Sequence, residues 1–338
     1  MSFSKDFHKI FDISPTHFPA LALEVFDFQY HNNPLYRSFV DTLHIKIEAV
    51  DSVEKIPFLP VSFFKTHAVH STIFEHSIVF ESSGTTGSIS SRHELKDVHI
   101  YEQSFRKGFE QFYGNIGEYC ILGLLPSYLE KGGSSLVYMV NDMIRASNHP
   151  NSGFYLHDTA ALAESLRKLE SQQQKTLLIG VTYALIDFAE KYPMPLKHTI
   201  VMETGGMKGR KREMLRLEVQ ALLKKAFQLP VVHSEYGMTE LLSQAYSKGN
   251  GLFESPPWMK ILLRDEEDPL AVRTPDDRQI IGGAINIIDL ANIYSCSFIA
   301  TDDAGRLHPD GRFEIMGRLD NSDLRGCSLL IATDAVDT

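Results

Sequence analysis

The chain has 338 residues, 43% of them hydrophobic and 22% charged, with a formal net charge of −10. That is the balance of a globular protein with a sizeable core, not of a disordered chain. The acidic excess argues against general nucleic-acid or anionic-membrane binding. Three cysteines, Cys120, Cys296 and Cys327, lack the spacing of a zinc or disulfide framework. The N-terminus has no long apolar core and no stretch reaches the length of a membrane span, so a cytoplasmic protein without a membrane span is expected.

Residues 18 to 50 read as helices, interrupted at Asn32-Asn33-Pro34. "KIPFLPVSFFKTHAV" carries two prolines and reads as an irregular, buried connection. From Ile78 the pattern alternates. Strand-like runs are "SIVF" (77–80), "YCILGLL" (119–125), "TLLIGV" (176–181), "HTIVM" (198–202) and "LPVVH" (229–233). Between them "DVHIYEQSFRKGFEQFYG", "ALAESLRKLESQQQ" and "KREMLRLEVQALLKKAF" repeat apolar residues at helical spacing. Strand and helix in alternation predict an α/β fold, mostly parallel sheets layered with helices, whose ligands lie beyond the carboxyl ends of the strands. After about residue 255 the runs "WMKILLR", "QIIGGAINIIDL", "CSFIATD" and "GRFEIMG" predict a β-rich C-terminal part.

Four clusters carry candidate chemistry. Ser82-Ser83-Gly84-Thr85-Thr86-Gly87-Ser88 follows "SIVF" and reads either as a phosphate cradle of backbone N–H groups and hydroxyls or as an ordinary exposed turn. It has neither the lysine of a nucleotide P-loop nor the spacing of a dinucleotide fingerprint. "METGGMKGRKRE" puts a glycine pair after "HTIVM". Its Lys208, Arg210, Lys211 and Arg212 suit steering of an anion or a solvated face. "VVHSEYGMTELLSQ" puts Tyr236, Gly237, Thr239 and Glu240 at a strand end, with Glu240 suited to Mg²⁺ and Thr239 to a phosphate oxygen, or else forms a plain acidic turn. In "ATDDAGRLHPDGRFEIMGRLD", Asp303 suits ribose hydroxyls and Arg318 ribose or phosphate oxygens, and a surface hairpin is the alternative. Cys120 and Cys296 sit in apolar runs and read as core. His67, His70 and His76 read as structural or surface histidines, and His233 as a pocket wall.

In this order, "SSGTTGS", "YGMTE" and "TDDAGRLHPDGRFEIMGRLD" resemble the adenylate-forming superfamily, which makes acyl-AMP from a carboxylic acid and ATP. More narrowly, "LALEVFDFQYHNNPLYRSF", "IPFLPVSFFKTH", "ETGGMKGR" and "DLRGCSLL" resemble the acyl-protein synthetase (LuxE-type) family, the fatty-acid-activating component of luminescence reductases. The resemblance implies the large-domain fold of those enzymes, with ATP and Mg²⁺ as cofactors. It implies that Ser83, Gly84, Thr85, Thr86 and Gly87 hold the ATP phosphates, and that Glu203, Thr204, Gly205 and Gly206 form the adenine wall. Tyr236 and Gly237 would then lie by the adenine, Thr239 by the α-phosphate, Glu240 on Mg²⁺, and Asp303 and Arg318 at the ribose. Tyr128 would stand beside the acyl pocket.

In that family the acyl group passes from AMP to a cysteine near the C-terminus, and Cys327 occupies the matching place. Arg325 and Gly326 precede it, a cation that lowers a thiol pKa and a residue that gives access. A large domain over 1–300, with a helical segment 1–76, and an abbreviated C-terminal segment 301–338 without a full lid domain are expected. That departure leaves the catalytic lysine of the superfamily without a counterpart, and Lys208 or Arg210 is the candidate substitute. The implied partners are a carboxylic acid, preferably a fatty acid, and a protein acceptor, reductase or transferase. A phenylacetate-type CoA ligase and a non-catalytic nucleotide-binding relative are the alternatives.

Overall fold

The computed structural model describes residues 7–82, 89–126, 133–205, 214–275 and 279–319. Contacts divide the chain into two units, one of residues 1–73 with 257–338 and one of residues 74–256.

In the first unit, helix α1 (Phe18–Asn32) opens with Pro19 in its first turn and buries Phe18, Ala22, Val25, Phe26 and Gln29. That three- and four-residue spacing makes one apolar stripe with a single polar member. Asn33 leaves the helical conformation and caps the next helix, α2 (Pro34–Thr42), by accepting the Tyr36 N–H at 3.0 Å. The break expected at Asn32-Asn33-Pro34 is therefore a cap followed by a proline at the first helical position. The proline-bearing connection holds a two-residue strand, β1 (Leu59–Pro60), and a one-turn helix, α3 (Phe63–Thr66), with Phe58, Leu59 and Phe64 buried.

The second unit begins with β2 (Ile78–Glu81) and β3 (Arg92–Leu95), followed by α4 (Val98–Tyr113). Next come β4 (Cys120–Leu124), α5 (Ser135–Ser147), β5 (Gly153–Phe154) and α6 (Thr159–Ser171). They are followed by β6 (Thr176–Val181), α7 (Thr182–Lys191), β7 (Thr199–Thr204) and α8 (Arg216–Phe227). The unit closes with β8 (His233–Tyr236), β9 (Ala245–Ser247) and β10 (Leu252–Glu254). Strands run side by side as β5-β4-β6-β7-β8-β9-β10, parallel from β5 to β8 and antiparallel beyond. "TLLIGV" is apolar without alternation because β6 is covered on both faces. Leu162, Leu166 and Leu169 of α6, Leu185 and Phe188 of α7, and Leu223 and Phe227 of α8 cluster with Leu122, Leu178 and Val201 of the sheet.

Two elements differ from the sequence expectation. "SIVF" was expected among the strands of the parallel sheet, but β2 pairs with β3 in an antiparallel hairpin of its own. An apolar run specifies a strand and not its partner. The strand expected over 229–233 lies later, at His233–Tyr236. Pro230 cannot donate to a ladder, which pushes the paired segment into the more polar "HSEY".

The chain then returns to the first unit as β11 (Met259–Arg264), β12 (Val272–Arg273), β13 (Ile281–Asp289), β14 (Phe298–Leu307) and β15 (Phe313–Arg318). They form an antiparallel sheet in the order β12-β11-β13-β14-β15, with β1 added in parallel on β14. A buried clamp ties α1 to this sheet. The Gln29 amide donates to the carbonyls of Asn292 (3.1 Å) and Ile293 (2.9 Å), and its oxygen accepts the Ser297 N–H at 2.9 Å. No helix among the described residues is long and apolar enough to cross a membrane.

Candidate functional site

Parallel pairing brings the carboxyl ends of β7 and β8 side by side, with Glu203 opposite Ser234 and Thr204 opposite Glu235. Because strand side chains alternate, Glu203 and Ser234 share one face, and Thr204 and Glu235 the other. On the first face the buried Glu203 carboxylate accepts from the Ser234 hydroxyl at 2.9 Å and lies 3.6 Å from Arg216 Nε, at the start of α8. The Thr182 hydroxyl, at the end of β6, sits 3.0 Å from Glu203 Oε2 and 2.9 Å from the Gly205 carbonyl. Gly205 has φ +70°, and a Cβ there would meet nothing within 4 Å, so glycine is required by backbone conformation and not by space.

On the second face the Thr204 hydroxyl donates to Glu235 Oε2. Burial pushes the Glu235 carboxyl up to about 7, and the Thr204 hydrogen bond opposes that rise. Beyond β8 the chain turns through Gly237, Met238, Thr239 and Glu240, with the Leu241 N–H bonded to the Met238 carbonyl at 3.1 Å. Glu240 is buried.

The β2–β3 hairpin is fastened to this turn. His93, buried on β3, bonds through Nδ1 to the Thr239 carbonyl at 2.8 Å, and because a carbonyl only accepts, Nδ1 carries the proton. The glycine- and hydroxyl-rich loop is pinched at its base. The Ser82 N–H bonds to the Ser91 carbonyl at 3.0 Å, and the Ser91 N–H to the Ser82 hydroxyl at 2.9 Å. The Glu81 N–H reaches the Gly133 carbonyl at 2.7 Å, joining the hairpin to the segment after β4. Three of the clusters expected from sequence thus have their described parts in one neighbourhood: the base of the Ser/Gly loop, the end of β7 and the turn after β8.

Ser83, Gly84, Thr85, Thr86, Gly87, Tyr128, Gly206, Lys208, Arg210, Lys211, Arg212, Arg325, Gly326 and Cys327 lie outside the described residues. Asp303 and Arg318 belong to the other unit, where they face each other on β14 and β15 with Arg318 Nε 3.8 Å from Asp303 Oδ1. Arg318 is 75% exposed and Asp303 14%, so this ion pair adds only about 0–1 kcal/mol. The Asp303 N–H bonds to the Thr301 hydroxyl at 3.2 Å, which fixes the backbone beside a register shift at Ala304 and Gly305.

His233 opens β8, at the other end of the strand from Tyr236, with Nδ1 3.2 Å from the Tyr113 hydroxyl. Burial, with Lys248 nearby, pushes its imidazole down to about 4, so it is neutral and unsuited to carry a proton. Cys120 and Cys296 are buried, and burial raises their thiols to about 11 and about 12. Both are inert at neutral pH, as core cysteines are. His67 stacks on Phe63 at 5.3 Å, and His76 Nδ1 lies 3.8 Å from Glu94.

Among the described residues no group of three or more His, Cys, Asp or Glu side chains can hold a metal by itself. A buried carboxylate such as that of Glu240 is the kind of ligand Mg²⁺ takes, one or two from the protein with phosphate and water oxygens completing the shell.

Sequence reasoning passed over His93 and Glu235. His93 sits in the polar run "SSRHEL", where nothing marks it as buried. Glu235 left one signal, a carboxylate in mid-strand directly before Tyr236.

No protein-family model matches the chain, and no curated protein matches it. Among solved structures it is similar to 2-hydroxyisobutyryl-CoA ligase in the postadenylation state in complex with 2-HIB-AMP. The TM-score is 0.60 and the identity 13%, over 89% of this chain and 67% of that one. It is also similar to ATP-bound MatB from Rhodopseudomonas palustris, with TM-score 0.53 and 16% identity, over 73% of this chain and 50% of that one. An ATP-bound RpMatB-BxBclM chimera gives TM-score 0.54 and 15% identity over 73% and 50%. The chain thus spans about half the length of these last two structures. At such identities the likeness is one of fold, and the fold is that of the N-terminal large domain of adenylate-forming enzymes.

Proposed function

We propose that this protein uses ATP to activate a carboxylic acid as its acyl-adenylate. The observation that supports this best is the convergence, within one unit, of the Ser82–Ser91 loop base, the end of β7 and the Thr239–Glu240 turn, joined by the bond from His93 to Thr239. In this reading the hydroxyl- and glycine-rich loop that starts from this base would supply N–H groups and hydroxyls to phosphates, and the buried Glu240 a carboxylate.

A carboxylate is a poor acyl donor because oxide is a poor leaving group. In the proposed reaction an acid oxygen attacks the α-phosphorus of ATP, an O–P bond forms, and the bond to the β-phosphate oxygen breaks to release pyrophosphate. The protein's task is to position two anions and offset their charge. The loop from Ser83 to Gly87 would hold the departing phosphates. Thr239 would donate to the α-phosphate, and Glu203 to Gly206 would flank the base beside Tyr236 and Gly237. Glu240 would hold Mg²⁺, which when bound neutralises charge on the phosphate oxygens. For Asp303 and Arg318 the ribose role rests on the resemblance.

The narrower reading is acyl-protein synthesis from a fatty acid. The Cys327 thiolate would attack the acyl carbon, form a thioester and release AMP. Its support is the "RGCSLL" motif.

The test is carboxylate-dependent ATP–pyrophosphate exchange across short, long and aromatic acids, with Glu240→Gln as control. Exchange with one class of acid, reduced about a hundredfold or more in the control, is expected. No exchange above the control with any acid would overturn the proposal. Labelled acyl-enzyme that disappears in Cys327→Ser while exchange persists would support the thioester step. Turnover that depends on coenzyme A and ignores that substitution would replace it with a CoA ligase.

A further inference from the structure

Beneath the Thr239–Glu240 turn, three buried polar side chains come from one hairpin. Glu235 on β8 and Tyr246 on β9 are direct cross-strand partners and so share a face, and Gln244 stands at the end of the turn just before β9. Their relative exposures are 8%, 2% and 5%.

Several neighbouring polar atoms are answered. The Tyr101 hydroxyl donates to the Ser135 carbonyl at 3.0 Å, the Tyr113 hydroxyl meets His233, and the Ser104 and Ser243 hydroxyls meet at 3.0 Å. By contrast the Tyr246 hydroxyl and Gln244 Oε1 are buried without a hydrogen-bond partner among the described residues. Thr204 satisfies Glu235 Oε2. Glu235 Oε1 lies only 2.6 Å from where a Cβ of residue 237 would stand, with Gln244 Cγ 3.4 Å from the same point. Gly237 has no left-handed backbone, so its lack of a side chain serves space, leaving room for the carboxyl and amide groups.

Two unanswered atoms on one buried hairpin are a standing cost to the fold. Native proteins rarely carry such a cost unless water or a ligand removes it. The walls of this patch are aromatic: Phe109, Phe112 and Tyr113 of α4 lie with ring centres 5.4 to 6.5 Å from Tyr246. The carboxyl and amide oxygens accept, and the phenol hydroxyl can either donate or accept, so the set is matched by a group that brings a donor of its own. Aromatic walls with such a floor suit a carbon chain that bears one O–H or N–H group.

We propose that the acid activated by this protein carries a hydroxyl or amino donor on its chain, received between α4 and the β8–β9 hairpin by Glu235, Gln244 and Tyr246. The proposal rests on the adenylation reading, because the patch is bracketed by the residues on either side of the turn that carries Thr239 and Glu240. It narrows the substrate class from carboxylic acids at large to those with a hydrogen-bond donor.

The experiment is pyrophosphate exchange by the full chain with matched acids. Each straight-chain acid, short to long, is compared with partners bearing a hydroxyl or a primary amine near the carboxylate, at mid-chain or at the chain end. At least one donor-bearing acid should exceed its plain partner about a hundredfold or more in kcat/KM, because a site built around a hydrogen bond rejects the analogue that leaves it unpaired. Tyr246→Phe and Gln244→Met should each shrink that ratio at least about tenfold, the loss of one such bond. Glu235→Gln separates the sources. It should preserve preference for a hydroxyl, which an amide oxygen still accepts, and abolish preference for an ammonium, which needs the charge.

Equal rates for plain and donor-bearing acids would overturn the inference, leave adenylation standing and reduce the patch to a site of ordered water. No exchange with any acid would overturn adenylation and the inference with it. The wild-type comparison needs no variant, so a variant that fails to fold does not rescue the idea.

Discussion

Glu235→Gln removes one titration from the interior at almost constant volume, and its effect on stability follows from the environment of the carboxyl. In the folded chain burial raises this group from the ordinary 4.5 to about 7. A group whose folded value is raised contributes its stability in full below the unfolded value, and that contribution is lost as pH climbs through the folded one. Between those two values the native state holds more protons than the unfolded state, so stability falls with rising pH. One-site linkage between about pH 5.5 and about pH 8.5 gives a loss of roughly 2 kcal/mol from Glu235 alone. Since Glu235 is 8% exposed, solvent screens little of this.

The assay is urea unfolding followed by circular dichroism for wild type and Glu235→Gln at both pH values. Amide hydrogen exchange at β7 and β8 localises the effect, which matters because a chain of two units need not unfold in one step. Other titrating groups cancel in the difference between the two proteins. The variant should gain roughly 2 kcal/mol on wild type between the lower and the higher pH. A difference independent of pH would refute the reasoning, because it would mean that Glu235 is ionised throughout in the native state.

Thr204→Val keeps the shape of β7 but leaves Glu235 Oε2 without its donor, and should cost about 1–3 kcal/mol in urea unfolding. No loss of stability would show that the bond has no net worth. His93→Leu severs the hairpin from the Thr239 carbonyl and should slow pyrophosphate exchange about tenfold, the equivalent of one net hydrogen bond. His93→Asn, which can present an N–H in much the same place, should recover part of that rate, and identical behaviour of the two variants would reduce His93 to packing. Asn33→Ala removes the α2 cap together with the bond from the Asn33 amide to the Ser295 carbonyl at 2.9 Å. It should cost about 1–2 kcal/mol in thermal unfolding, and an unchanged midpoint would contradict the capping assignment.

Local chemistry made much of the fold legible. Asn33-Pro34 broke the N-terminal helices where a cap and a proline require it, and "TLLIGV" declared a strand covered on both faces. The position of two clusters, at the ends of β7 and β8, was legible for a similar reason. A glycine with φ +70° after β7, and a turn after β8 that opens on Gly237 and carries Thr239, are local demands that leave local residues. The partner of β2 was not legible, because an apolar run satisfies an antiparallel hairpin as well as a parallel sheet. Nor was the burial of His93, whose polar neighbours gave no sign of the Thr239 carbonyl, 146 positions away, that holds it.

The sequence by itself determined the alternation of strands and helices from β4 to β8, the break between α1 and α2 and the residue types available at the ends of β7 and β8, because these depend on backbone preference and on side chains a few positions apart. Tertiary structure alone decided that residues 7–73 join those after 257 in one unit, through contacts such as Gln29 with Ser297. It alone brought Glu235, Gln244 and Tyr246 together in the interior and left two of their polar atoms without hydrogen-bond partners among the described residues. Burial and hydrogen-bond satisfaction depend on every group packed around an atom, and no stretch of neighbouring residues contains that sum.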